Sequence, residues 1–355
     1  MLQTKCLASK HNLFLDTTGQ VTFCCNNSTA LDYDLAKTET ALTGQVATVI
    51  QHDLDNGVAH ASCRQCWVEQ EQGVDSFRNS YNQMYPHLDQ LSEPALKTLH
   101  VQYDNTCNLT CIYCGPKFSS KWANLTRTIE PYRAPIDFSD AALENLEMIT
   151  LAGGEPSLIK SNIKLLDRLL QLNPRCEVII NTNLYQINNN PVFEKLYQFQ
   201  NSTVIASFES TGDRYDYIRY GSEWTEFRQN FANIVDRVGR VQASMILFPL
   251  SMGGIQDAIQ FALNYIPASE IYINDYNGSD FAWSQVGKTV LDNQCQNLIN
   301  YTSTLDPSLQ LQLLPRLNSV ESNNDISNFP KCHIFDKLIK KDHTTIFPEL
   351  YRNMT

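Results

Sequence analysis

From about Leu96 onward, apolar runs of strand length alternate with segments of helical period. Leu99 to Tyr103, Leu146 to Ala152, Glu177 to Thr182, Thr203 to Phe208, Val241 to Phe248 and Ile271 to Tyr276 read as strands. Between them lie helical faces. Ser161 is placed to N-cap a helix with Ile163, Leu166, Leu169 and Leu170 on one side. Pro191 opens a helix carrying Val192, Leu196 and Phe199. Phe227, Phe231, Ile234, Val235 and Val238 mark another helix, as do Ile255, Ile259, Ala262, Leu263 and Ile266. This alternation predicts an α/β fold with a parallel sheet, and the six units suffice for a partial or closed barrel. Parallel sheets collect ligands at the C-terminal ends of their strands. A cysteine-rich loop, Gly153-Gly154 and Asn181-Thr182-Asn183 all fall at such ends. The sequence therefore predicts one shared site. The tail from Pro315 onward reads as less regular, with a short helix near Asn328 to Lys340.

At 355 residues the chain is long enough for one large core or two domains. Hydrophobic residues make up 43% and charged residues 18%, the balance of a globular protein. No apolar run reaches the ~20 residues that span a bilayer, and Met1 to Lys10 lacks a signal-peptide core. The expectation is a cytoplasmic protein without membrane contact. Its eleven cysteines should then be reduced rather than paired as disulfides. A net charge of -11 argues against bulk nucleic-acid binding. It leaves a nucleotide substrate open.

The cysteines fall in two constellations. Cys107, Cys111 and Cys114 follow the first strand at x3 and x2 spacing. Three thiolates can hold three irons of a [4Fe–4S] cube and leave the fourth open to bind another molecule. Buried structural thiols and zinc are the competing readings. Structural zinc wants four ligands, and this loop offers three. The second constellation is Cys6, Cys24, Cys25, Cys63 and Cys66. Asp16 to Cys25 reads as a hairpin turning at Gly19 and delivering thiols at its end. Cys63 and Cys66 have the x2 spacing of a metal knuckle. An iron–sulfur cluster, zinc and a metal-free knuckle all remain open for this set. Cys176, Cys295 and Cys332 are scattered singly.

The run Cys-x3-Cys-x-aromatic-Cys resembles the motif of radical S-adenosylmethionine (SAM) enzymes. The resemblance implies a partial (β/α)6 barrel and a [4Fe–4S] cluster on Cys107, Cys111 and Cys114. It also implies that the open iron chelates SAM, whose reductive cleavage gives a 5′-deoxyadenosyl radical that abstracts a substrate hydrogen. Gly153-Gly154-Glu155-Pro156 resembles the family turn that hydrogen-bonds the methionine amino group. Tyr113 sits where the family packs an aromatic residue near adenine. Asn181 and Asn183 match a strand-end motif near the ribose. Ser207 and Glu209 match a following strand end that approaches SAM, and Arg219 matches an arginine that meets the SAM carboxylate. The region Met245 to Gly254 departs from the family pattern, so no contact is assigned there.

The upstream cysteines resemble the auxiliary-cluster modules called SPASM and twitch. Cys63 and Cys66 are followed by Glu69, Gly73, Ser76 and Arg78, as in twitch-type proteins that carry this module before the barrel. By register, Cys6, Cys24, Cys63 and Cys66 are the four implied ligands of a second [4Fe–4S] cluster, with Cys25 as the substitute for Cys24. Phe347 to Leu350 also resembles the tail of these proteins. The implied organisation is an auxiliary module over 1–92, a radical SAM barrel over 93–310 and an extension over 311–355. The family resemblance implies a flavodoxin- or ferredoxin-type electron donor and a peptide or protein substrate. A nucleotide or nucleobase is the second substrate class, and a non-catalytic iron–sulfur or SAM-binding protein is the alternative of a different kind. Cys295 and Cys332 are candidate hydrogen donors should the chemistry be epimerisation.

Overall fold

The computed structural model describes residues 4–71, 73, 75–128, 136–276, 278–322, 324 and 327–351. The chain forms two compact units, each discontinuous in sequence. The first takes 1–106, 128–180 and 189–202; the second takes 107–127, 181–188 and 203–355.

In the first unit, β1 (Asn12–Leu15), β2 (Val21–Thr22), β3 (Thr98–Val101), β4 (Met148–Leu151) and β5 (Glu177–Thr182) lie in the order β2-β1-β3-β4-β5. β3, β4 and β5 run parallel, as the strand–helix alternation requires. β1 and β2 are the antiparallel hairpin expected around Gly19, which takes a positive φ of 85°. The sequence did not indicate that β1 also pairs in parallel with β3, Leu13 opposite Leu99 and Leu15 opposite Val101. The cysteine-bearing hairpin thus continues the same sheet. Tyr81 and Thr98 share a buried hydroxyl contact of 2.6 Å, and Thr98 donates to Asn12 Oδ1 at 2.7 Å.

The second unit holds β6 (Ser202–Ser207), β7 (Arg240–Leu247) and β8 (Ile271–Asp275), parallel throughout. All six strands expected from the sequence exist; Glu177–Thr182 matches at both ends, and the other five differ by at most two residues at either end. Phe208, just past β6, packs on Phe227 at 4.9 Å, Phe231 at 5.7 Å and Phe261 at 5.9 Å. These rings fix the strand end that precedes Glu209.

Three helical expectations need correction. The helix placed after β4 runs Lys160–Leu172, so Ser161 lies in its first turn and caps nothing. Its buried face is Asn162, Leu165, Leu166 and Leu169, because Asn162 turns inward to donate to Pro156 O at 2.8 Å. Pro315 does not end regular structure; it lies inside the helix Pro307–Ser319. The late helix is present as Pro330–Ile339. No helix among the described residues is long and apolar enough to cross a membrane.

Candidate functional site

The turn after β4 is built against the backbone just past β3. Gly154 N donates to Asp104 O at 3.1 Å, and Glu155 N donates to Thr106 O at 2.7 Å. A Cβ on Gly154 would stand 2.2 Å from Thr106 O and 2.5 Å from Asn105 C. Only glycine permits that approach. Gly153 holds a φ of 110°, and a Cβ there would meet Asp104 O at 2.8 Å. Glu155 is buried, and its Oε1 accepts from Ser157 N at 3.2 Å, capping the turn Pro156–Leu158. Asn162 and Asn190 hold this turn from outside, donating to Pro156 O and Ser157 O at 2.8 and 3.0 Å. Gly153, Gly154, Glu155 and Pro156 are therefore a rigid, backbone-determined element.

The same unit gathers the upstream thiols. Cys24 lies within electrostatic reach of Cys6 and Cys66, and Cys63 within reach of Cys66. Burial pushes Cys6 up to about 12 and Cys24 well above the ordinary thiol value. Cys25 is the exposed member; its thiol faces Asn26 at 3.7 Å and lies near Cys66 and Glu69. Cys63 Sγ accepts from Asn27 Nδ2 at 3.7 Å. Cys6 and Cys66 each lie within electrostatic reach of the other three register-implied ligands. Sulfurs gathered in one region but not packed around a single point suit an iron–sulfur cube, whose thiolate ligands stand further apart than those of one ion.

In the second unit the cysteine loop is held by its backbone, which leaves the thiols for other work. Thr110 N donates to Tyr220 O and Ile112 N to Ile218 O, both at 2.8 Å. Trp122 Nε1 donates to Cys111 O at 2.8 Å, and Lys331 Nζ to Cys114 O at 3.2 Å. Leu109 N points at Cys107 Sγ from 3.5 Å. Cys111 interacts electrostatically with both Cys107 and Cys114, and burial pushes it well up. Cys114 is raised for the same reason. Thiols held this way are protonated when metal-free, so ligation must release their protons. Three sulfurs and no fourth ligand in the loop fit a cube with one open iron.

Residues 101–262 match the family model described as Radical SAM superfamily. The match marks residues 101–262, somewhat under half of the chain, as a radical SAM domain. Such a domain supports an enzyme, and the family uses a [4Fe–4S] cluster and SAM. No curated protein matches the chain. Among solved structures it is similar to Streptococcus suis SuiB bound to precursor peptide SuiA, at 13% identity and TM-score 0.41, over 71% of this chain and 62% of that one. SuiB bound to S-adenosylmethionine matches at 14% identity and TM-score 0.41, over 81% of this chain and 66% of that one. Native anSMEcpe with bound AdoMet and Cp18Cys peptide matches at 13% identity and TM-score 0.39, over 59% of this chain and 60% of that one. The chain therefore spans somewhat under two thirds of the length of these three structures.

The remaining sequence-implied SAM contacts of the radical SAM domain lie in the second unit. Arg219 grips Glu209 with two bonds, Nε to Oε2 at 2.9 Å and Nη2 to Oε1 at 2.6 Å. Tyr113 OH donates to the same Oε1 at 3.0 Å, and Arg219 lies over the Tyr113 ring at 5.6 Å. Glu209 is 0% exposed and Arg219 5%. Removing one partner of such a buried pair costs about 3–5 kcal/mol. Tyr113, Glu209 and Arg219 thus form one interlocked group, although they come from three separate motifs of the sequence. Phe248, in the stretch given no role, packs edge-on against Tyr113 at 5.6 Å. An apolar residue one past β7 carried no chemical signal in the sequence. Asn183 Nδ2 donates to Asn108 Oδ1 at 2.9 Å, within the cysteine loop. Asn181 and Ser207 are half-buried at the ends of β5 and β6. Cys295 is half-buried on the helix Lys288–Thr302, and Cys332 is fully buried beneath Tyr217.

Proposed function

We propose that this protein reductively cleaves SAM at a [4Fe–4S] cluster held by Cys107, Cys111 and Cys114, and uses the resulting radical to modify a peptide or protein. One observation carries the reading: a backbone-pinned loop after a parallel strand of a radical SAM domain, on which Cys111 lies within electrostatic reach of both Cys107 and Cys114. When bound, the cluster would supply a single electron and an open iron. The chain's own residues do the rest. Gly153 and Gly154 let the backbone approach closely, and the Glu155 carboxylate is suited to accept from an ammonium. Arg219 and Glu209 set the charge beside Tyr113.

The reading extends to the upstream thiols. Cys6, Cys24, Cys63 and Cys66 would hold a second, fully ligated cluster that passes electrons, in a module of the SPASM or twitch kind. The electrostatic reach of Cys6 and Cys66 to the other three thiols supports it. A flavodoxin- or ferredoxin-type protein of the cytoplasm would deliver the electron. The peptide substrate class rests on the family resemblance.

The test is analytical. Anaerobically reconstituted protein should contain about eight irons and about eight sulfides per chain, the content of two cubes. About four of each would remove the second cluster and leave the first.

A further inference from the structure

One helix ties together most of the upstream thiol patch. It runs Phe77–Met84 and is N-capped by Ser76, whose Oγ accepts from Asn79 N at 3.3 Å. Asn82 on this helix grips the chain on both sides of Cys6. Its Nδ2 donates to Lys5 O at 2.8 Å, and its Oδ1 accepts from Leu7 N at 2.9 Å. Asn79 Oδ1 accepts from Gln70 Nε2 at 2.8 Å, which joins the helix to Arg64–Glu71, the helix that carries Cys66. Arg78 sits in the first turn of this clamp. Its guanidinium carbon lies 4.2 Å over the ring of Trp67, the residue after Cys66. Trp67 is itself fixed by donating Nε1 to His60 O at 2.9 Å.

Arg78 is only 2% exposed. Taking a guanidinium out of water is costly unless nearby negative charge compensates it. Among the groups whose charge acts on Arg78 are Cys6, Cys66 and Cys63, and Arg78 acts in turn on Cys6 and Cys63. As thiolates around a cube they carry net negative charge, which grows by one on reduction. Arginine suits the position better than lysine, because its planar, weakly hydrated head can lie flat on an indole in a dry place.

We propose that Arg78 is the positioning and charge-compensating residue of the second cluster, and that its buried cation raises that cluster's reduction potential. The proposal rests on the second-cluster reading above. A fixed positive charge stabilises the reduced state more than the oxidised one, so its loss must make reduction harder.

The experiment compares holoenzyme, Arg78→Gln and Arg78→Lys by iron count and by dithionite titration followed by electron paramagnetic resonance. Arg78→Gln should lower the reduced-to-oxidised ratio of the second cluster at fixed potential by about tenfold or more, a shift of about 59 mV for one electron. Loss of only the auxiliary irons in this variant, with circular dichroism unchanged, supports the proposal equally. Arg78→Lys should retain both clusters and a potential close to that of the parent. Should the glutamine variant not fold, the lysine variant decides alone. A glutamine variant with full iron and an unshifted potential overturns the proposal, and so does a lysine variant displaced as far as glutamine. A parent protein with about four irons overturns the second-cluster reading itself. The two failures are therefore distinguishable.

Discussion

Cys111→Ala should abolish formation of 5′-deoxyadenosine from SAM and dithionite, and should lower the iron content from about eight to about four per chain. Cys111 is the central thiol of its loop, the one interacting with both neighbours. Two remaining sulfurs cannot hold a cube with a single open iron. The fall in turnover should exceed about 100-fold, the upper range for losing an outer-shell partner of a metal site. The fold should survive, because the loop is pinned by backbone groups rather than thiols: Thr110 N, Ile112 N and Cys111 O are all engaged. The four irons that remain should be those of Cys6, Cys24, Cys63 and Cys66. Retention of all eight irons, with undiminished cleavage, would contradict the assignment.

Gly154→Ala should be nearly as damaging, for a steric reason. The new methyl would meet Thr106 O at 2.2 Å, Asn105 C at 2.5 Å and Asn105 O at 2.7 Å. All three are backbone atoms, so no rotamer change relieves the clash. Overpacking of a well-filled site usually costs about 1–3 kcal/mol, and rigid backbone neighbours place this case at the upper end. Displacing the turn also displaces Gly153 and Glu155. SAM affinity, followed by equilibrium dialysis of reconstituted protein, should fall by more than about tenfold, since 1.4 kcal/mol is already tenfold. Gly115→Ala is the matched control: its Cβ meets nothing within 4 Å, and affinity and stability should stay at parent values. Equal affinities for the two alanine variants would show that the close approach at Gly154 is irrelevant to binding.

Much of this was legible in the sequence, for identifiable reasons. Period-two and period-3.6 apolar patterns report burial directly, so all six parallel strands and the main helices were found. Cysteine spacing points to thiol groupings, and the fold keeps Cys111 within electrostatic reach of Cys107 and Cys114, and Cys24 within reach of Cys6 and Cys66. What escaped notice depends on long-range pairing. Nothing local says that Asn12 to Leu15 joins β3, because strand pairing is decided between residues some 80 positions apart. The interlock of Tyr113, Glu209 and Arg219 likewise joins three separate segments. Asn162 shows a different failure. An asparagine on a buried helix face reads as a break in the apolar stripe, yet it is buried because Pro156 O accepts its proton. Arg78 stood in the sequence only as a letter in a resemblance. Its burial against Trp67 supplies the physical reason for it.

The central claim is that this chain turns SAM over. The most direct measurement is the anaerobic reaction of reconstituted protein with dithionite and SAM, with 5′-deoxyadenosine followed by liquid chromatography. The account predicts its formation, dependent on dithionite and absent in Cys111→Ala. No 5′-deoxyadenosine from protein with an intact cluster and bound SAM would contradict the account.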